Sequence, residues 1–222
     1  MEGTDMRRTK ERGTSIIEFA IVSTVLIPLI FGVVALGVNL GHTTQVIQIS
    51  RDAGRLYAKG VDMSESVNQN IVATIAQPMG MTSTTTGNGV VILSKIQQVS
   101  STDCSNGNLS GSACSNNGQY VIVNRIVIGN SSYTSKYGTP NSSLIGSNGD
   151  VASGGKSGTR TTQGYLNDPS AVASGFDSLM STAGASLDAG QYAYLSEAYF
   201  VTPDVSYLGG PAAGGVYAKT VF

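Results

Sequence analysis

The 222 residues hold no tryptophan, one histidine, two cysteines and six prolines, and only 12% of them carry a formal charge. Each scarcity removes a class of function. One His and two Cys leave little material for a metal centre or for a nucleophile with its base. No catalytic constellation can be assembled, so the expectation is a non-enzyme without catalytic residues, cofactor or metal. Thirteen Lys and Arg against fourteen Asp and Glu give a net charge of −1, and the cations are scattered. That excludes the basic patch with which a protein grips nucleic acid. Gly154-Gly155-Lys156-Ser157 has the tail of a phosphate loop, but the leading glycine and a preceding apolar strand are missing. In place of charge there are 28 glycines and long Ser/Thr/Asn tracts, a composition that suits a secreted or cell-surface chain.

Charge is missing most conspicuously near the N-terminus. From Phe19 to Ser50 no side chain is formally charged, and His42 alone can titrate. Phe19 to Gly41 is 23 residues, about 35 Å as a helix and enough to cross a bilayer core of about 30 Å. The preceding segment sets Arg7, Arg8, Lys10 and Arg12 against Glu2, Asp5 and Glu11. The apolar run exceeds the ~7–15 residues of a cleavable signal peptide, and no small-x-small site closes it, which predicts a membrane anchor. Four basic residues before the run and Arg51, Arg55 and Lys59 after it favour an N-terminus inside by a narrow margin. Glu18 stands at the head of the run. A carboxylate there is costly in hydrocarbon, and its place is the membrane edge or beside a neutralising partner. Gly37 and Gly41 form a GxxxG pair that permits close helix approach or merely eases packing, and Pro28 is expected to bend the helix.

Beyond the anchor, Val46, Ile49, Ala53 and Leu56 recur at helical spacing, so one helix from Thr14 to about Lys59 is predicted, amphipathic in its second half. Asp62 and Glu65 have capping-box spacing ahead of a second helix over roughly 63–77. Val90–Ile96 and Tyr120–Ile128 are rich in β-branched residues and predict strands, followed by two more near 191–202 and 216–222. Asn130–Gly164 has 23 of 35 residues that are Gly, Ser, Thr or Asn, and predicts an exposed, partly mobile insertion. Asp168-Pro169 predicts a helix start, with Val172, Phe176, Leu179 and Met180 on one face. The fold expected is α+β, a small antiparallel sheet laid against the amphipathic half of the long helix. The tyrosines at 192, 194, 199, 207 and 217 are expected to pack between sheet and helix, a tyrosine-lined adhesive surface being the alternative.

Gly13-Thr14-Ser15-Ile16-Ile17-Glu18-Phe19, after its short basic leader, resembles the prepilin-peptidase signal of the tight-adherence (Tad/Flp, type IV-related) pilus system. Ile49–Gly60 resembles the Arg/Ala-rich segment that follows the membrane helix in TadE-like pseudopilins. Glu197-Ala198-Tyr199-Phe200-Val201-Thr202-Pro203 resembles that family's Glu-x-Tyr-Tyr-x-x-Pro strand, and Val216–Phe222 its closing strand. The chain is long for the family and its Ser/Gly insertion is not part of the pattern, so the TadE, TadF and TadG branches stay open.

The resemblance implies a minor pilin or pseudopilin incorporated into a Tad-type pilus, or priming one, for surface adhesion or secretion. A prepilin peptidase would cut between Gly13 and Thr14, creating an ammonium on Thr14 one helical turn from Glu18. The two would form an assembly charge pair; alternatively Glu18 rests at the headgroups of an uncut signal anchor. The organisation implied is a leader at 1–13, a transmembrane and assembly helix at 14–41, an amphipathic helical segment at 42–80, and an extracytoplasmic β-rich domain at 81–222. Implied partners are the prepilin peptidase, an inner-membrane assembly platform driven by a cytosolic ATPase, other pilin subunits and, before assembly, membrane lipid. The location implied is the cytoplasmic membrane, single-pass, with the C-terminal domain outside and then at the pilus or cell surface. The alternative function is a bitopic envelope protein whose outer domain binds a surface or ligand without entering a filament.

Cys104 and Cys114 enclose nine Gly- and Ser-rich residues. Outside the cytoplasm they are expected to pair, free thiols being the alternative, and the ring would stabilise by ~3 kcal/mol in the chain-entropy model.

Overall fold

The computed structural model describes residues 5–82, 84–202 and 214–222, with side chains from residue 15 onward. Pro203, which ends the strand motif, and Tyr207 lie outside the described residues, as do the first four of the leader. Two compact units are present: Met1–Thr44 with Val201–Gly215, and Gln45–Phe200 with Val216–Phe222.

Helix α1 runs Asp5–Ala58, 54 residues, and continues through Pro28. Its run of Leu, Ile, Val and Ala has no helix-breaking pair before Gly60, whose φ of 84° ends it. In the first unit the large apolar side chains of α1 are exposed, Phe19 at 74%, Val25 at 68% and Leu36 at 66%, while Ala35 is buried at 2%. Nothing lies within 4 Å of a Cβ placed on Gly37 or Gly41. Ser15–Ala58 is a helix long and apolar enough to cross a membrane, and the chain is a single-pass, membrane-anchored protein.

In the second unit α1 becomes one-sided. Val46, Ile49, Ala53 and Tyr57 are buried, with Leu56 half-buried beside them. The stripe thus closes on Tyr57, where the aliphatic spacing pointed to Leu56. Helix α2 spans Ser66–Ile75 and is followed by a 3-10 turn at Gln77–Met79, shorter than the predicted helix. The Asp62–Glu65 capping box does not form. Asp62 instead accepts from the backbone and hydroxyl of Ser64 (2.9 and 2.6 Å), and Glu65, the N-cap residue, makes no side-chain cap bond. Asp62 closes its own Asx turn before the helix begins.

Strand β1 is Gly89–Gln98; α3 is Ser101–Asn106; β2 is Tyr120–Gly129. The hairpin β3 (Gly155–Ser157) and β4 (Arg160–Thr162) precedes α4 (Phe176–Thr182), then β5 (Tyr192–Val201) and β6 (Gly215–Val221). The main sheet has the order β2-β1-β5-β6. β1 is antiparallel to both β2 and β5, and Tyr194 and Phe222 exchange two 2.9 Å backbone bonds that set the antiparallel register of β6.

One face of the sheet, bearing Val91, Leu93, Ile126, Ile128, Ala198 and Phe200, joins the α1 stripe and Val72 of α2 in one core. The other face packs Ile96, Ile122, Ala193 and Leu195 against Tyr137, Leu144, Val151, Phe176 and Met180. A bulge opposite Lys95/Ile96 lets β2 serve both: it shifts register by one, so Ile122 faces away from Ile126 and Ile128.

The insertion is therefore not a bare excursion. Tyr137, Leu144 and Val151 are buried, and its polar residues close short turns: Asn141 accepts from the Ser143 N–H, and Asn148 donates to Asp150 (2.6 Å). Local bonds of this kind hold a stretch whose composition offers little apolar area. Asp168-Pro169 caps only a 3-10 turn, Pro169–Ala171; α4 starts later, after Gly175 at φ 73°.

Candidate functional site

Three groups of residues carry the chemistry. The first lies on α1, where Gly13 and Thr14 are both helical and Glu18 follows one turn on. Glu18 is exposed between Ile17 (63%) and Phe19 (74%), an anionic group on an otherwise apolar surface. A carboxylate in such surroundings needs water, headgroups or a cation from another chain.

The second is the ring closed by Cys104 and Cys114, whose sulfurs are at disulfide distance, 2.06 Å, with Cα atoms 5.8 Å apart. Both are buried in a small cluster with Val99, Leu109, Val121 and Leu166. Cys104 sits on α3, whose start is a full capping box: the Ser100 hydroxyl accepts from the Asp103 N–H and the Asp103 carboxylate accepts from the Ser100 N–H.

The third surrounds Glu197, in the middle of β5 and only 2% exposed. One of its oxygens accepts from the Lys136 backbone (2.9 Å) and the Tyr217 hydroxyl (2.7 Å), the other from the Ser135 hydroxyl. These donors belong to the insertion and to β6, so one carboxylate ties both to the central strand. Burial pushes the Arg125 guanidinium down to about 10, against the pull of Glu197, and Arg125 donates to the Gly138 carbonyl (2.8 Å). Burial also raises the Tyr217 hydroxyl above its ordinary range, helped by the neighbouring Glu197 charge. Beside Glu197 is a cavity of about 270 Å³ whose walls include Tyr133, Tyr199, Tyr217 and Lys136, over a floor of Val90 and Ile92. Among the described residues no group of three or more His, Cys, Asp or Glu is placed to hold a metal.

Residues 13–55 match the family model of TadE-like protein. Over this segment the chain is TadE-like. The match begins on Gly13 and takes in Glu18, the exposed apolar run and the buried stripe as far as Ala53. No curated protein and no solved structure matches the chain significantly.

The TadE-like segment also contains a contact that sequence reasoning passed over. A Cβ at Gly54 would lie 2.4 Å from the Phe222 ring and 2.9 Å from the Ser196 Cβ, so α1 meets the sheet there at glycine distance. One turn earlier Ser50, fully buried, donates to the Ser196 carbonyl (3.1 Å). The signal was present as a small residue on the buried side of the stripe. Ser135 and Lys136 gave no comparable signal, because their common partner Glu197 is distant in sequence.

Proposed function

We propose that this chain is a minor pilin or pseudopilin of a Tad-type pilus, without enzymatic activity, made as a precursor and cut after Gly13 by a prepilin peptidase. The observation that carries the reading is the TadE-like match, which starts on Gly13 itself and spans the exposed apolar helix. The helix would enter the cytoplasmic membrane with its N-terminus inside and then leave it for a filament, where packing against other pilin helices replaces lipid. The new ammonium of Thr14 and the Glu18 carboxylate would fix register there, on the same or a neighbouring subunit. Cys104 and Cys114 at disulfide distance support an outward location for the folded unit, since the reducing cytoplasm disfavours such bonds. An assembly platform in the inner membrane and other pilins are the partners this requires, and adhesion or secretion is the use.

The mass of the mature N-terminus tests this. The expected chain begins at Thr14, and Gly13→Leu leaves a membrane-inserted form that keeps the leader. A native protein with its leader intact in piliated cells overturns the pilin reading and leaves a bitopic envelope protein in its place.

A further inference from the structure

We propose that the cavity beside Glu197 is an aromatic cage for a quaternary ammonium ion of the choline type, and that Lys136 is an internal stand-in for that ion. Three tyrosines line it, Tyr133, Tyr199 and Tyr217, with the Glu197 carboxylate alongside. The Tyr133 and Tyr199 rings meet at 4.6 Å between centroids with a 45° tilt, an open V rather than a stack. The β6 register set at Tyr194–Phe222 puts Tyr217 opposite Tyr199 on the same face of the sheet. Ring faces carry negative charge density and attract cations, and the Glu197 carboxylate behind them is offset in part by the buried Arg125 guanidinium, so the rings carry the attraction.

The molecule already uses that attraction. The Lys136 ammonium lies 4.0 Å from the centroid of Tyr217. Lys136 is exposed, so its side chain can leave at the cost of one surface cation–π contact.

The hydrogen bonding selects the kind of cation. Glu197 already accepts from the Ser135 hydroxyl, the Lys136 N–H and the Tyr217 hydroxyl. A primary ammonium entering the cage would have to find new acceptors for its N–H groups or lose their hydration. A trimethylammonium group has no N–H to satisfy, and its methyl groups suit the aliphatic floor. A volume of about 270 Å³ accommodates such a headgroup. The same chemistry is offered by free choline and by the choline headgroup of a lipid. The cage lies in the folded unit, so its occupancy is independent of leader cleavage.

The test is a titration of the full-length protein in a non-ionic detergent, read by tyrosine fluorescence, which the lack of tryptophan leaves uncluttered. Choline chloride, tetramethylammonium chloride and glycerophosphocholine are compared with sodium chloride at equal ionic strength. Saturable binding of choline and tetramethylammonium, absent with sodium, is expected. Glycerophosphocholine binding alongside assigns the lipid headgroup as source; its failure assigns the free ion. Tyr199→Ala should weaken choline binding about tenfold and Lys136→Gln should strengthen it several-fold. Lys136→Gln alters an exposed side chain, so a folding defect cannot mask its result. No saturable response to any of the three ligands overturns the site, as does a Tyr199→Ala protein that folds and binds like wild type. Weaker binding by Lys136→Gln overturns the stand-in role.

Discussion

The two halves of α1 use the same residue types to opposite ends. Between Ser15 and Thr44 large apolar side chains stand exposed on all faces, Ile16 at 70% and Val33 at 62%; from Gln45 onward Val46 and Ile49 fall to 0% and 4%. What changes along the helix is the polar residues between them. Gln45, Gln48, Asp52 and Arg55 confine the apolar positions to one stripe, and a stripe can be buried by a single sheet. A helix apolar all round cannot be satisfied by one sheet and requires lipid or several other helices. One half is thus folded by its own chain and the other by its environment.

The sharpest way to break this contrast is Glu18→Ala. Were the first half only an anchor, losing a charge at the mouth of the run would be harmless or would ease insertion. In the proposed filament the change would leave the Thr14 ammonium unpartnered among packed helices, and breaking one side of a buried pair costs roughly 3–5 kcal/mol. The expected protein is inserted and cleaved at wild-type levels but supports filaments at a frequency lower by orders of magnitude. Surface filaments counted at equal membrane levels check it, and equal counts refute the charge pair.

A matched pair of truncations sharpens the comparison. Ile49→Ala removes a buried side chain from the core shared with Leu93 and Phe200, and should cost the folded unit roughly 2–5 kcal/mol. Ile30→Ala, at a position 49% exposed, should leave thermal unfolding of that unit unchanged. Equal losses from the two would erase the distinction between the halves.

The Cys104–Cys114 ring comes next in size. Replacing both residues by Ser should lower stability by about 3 kcal/mol on the chain-entropy account. Alkylation before and after reduction, read by mass, should label the thiols only after reductant. Free labelling without it would remove the support for an outward-facing folded unit.

The stripe and the four strands were legible because each is written in neighbouring residues. Spacing of three and four marked Val46, Ile49 and Ala53, and β-branched runs marked β1 and β2 to within two residues of their ends. Helix α3 could have been read as well: Ser100 and Asp103 have capping-box spacing, but the Gly/Ser/Asn composition around them pointed to a loop. Tertiary pairing was not legible. Glu197 was visible only as part of a strand motif, and nothing local says that it would receive donors from residues 135 and 136 on one side and 217 on the other. The tyrosines divided for the same reason. Tyr57 and Tyr194 meet edge-on at 5.3 Å on the helix side of the sheet, whereas Tyr199 and Tyr217 line the cavity on its other face. A period of two puts alternate residues on opposite faces without saying which face a distant segment will cover.

The smallest expected effect bears on pH. Tyr217 is half-buried, and burial, followed by the Glu197 charge and hydrogen bond, raises its hydroxyl in the folded protein. An unfolded tyrosine ionises near pH 10. Above that pH the unfolded chain has released a proton that the folded one retains, so the contribution of Tyr217 is fully present below about pH 10 and is lost as pH rises further. Tyr217→Phe keeps the ring but removes the 2.7 Å bond to Glu197. Near neutral pH the variant should be less stable by about 1–3 kcal/mol, as for a hydrogen bond to a charged group. Between about pH 10 and 11 the gap should narrow, because wild type loses what the variant never had. Denaturant unfolding of both proteins across that range measures it, and lysine titration cancels in the difference. Membrane retention should not follow, since no tyrosine lies between Phe19 and Ser50. A gap that stays constant through alkaline pH would show that Tyr217 contributes packing alone, and that the Glu197 bond adds nothing to the folded unit.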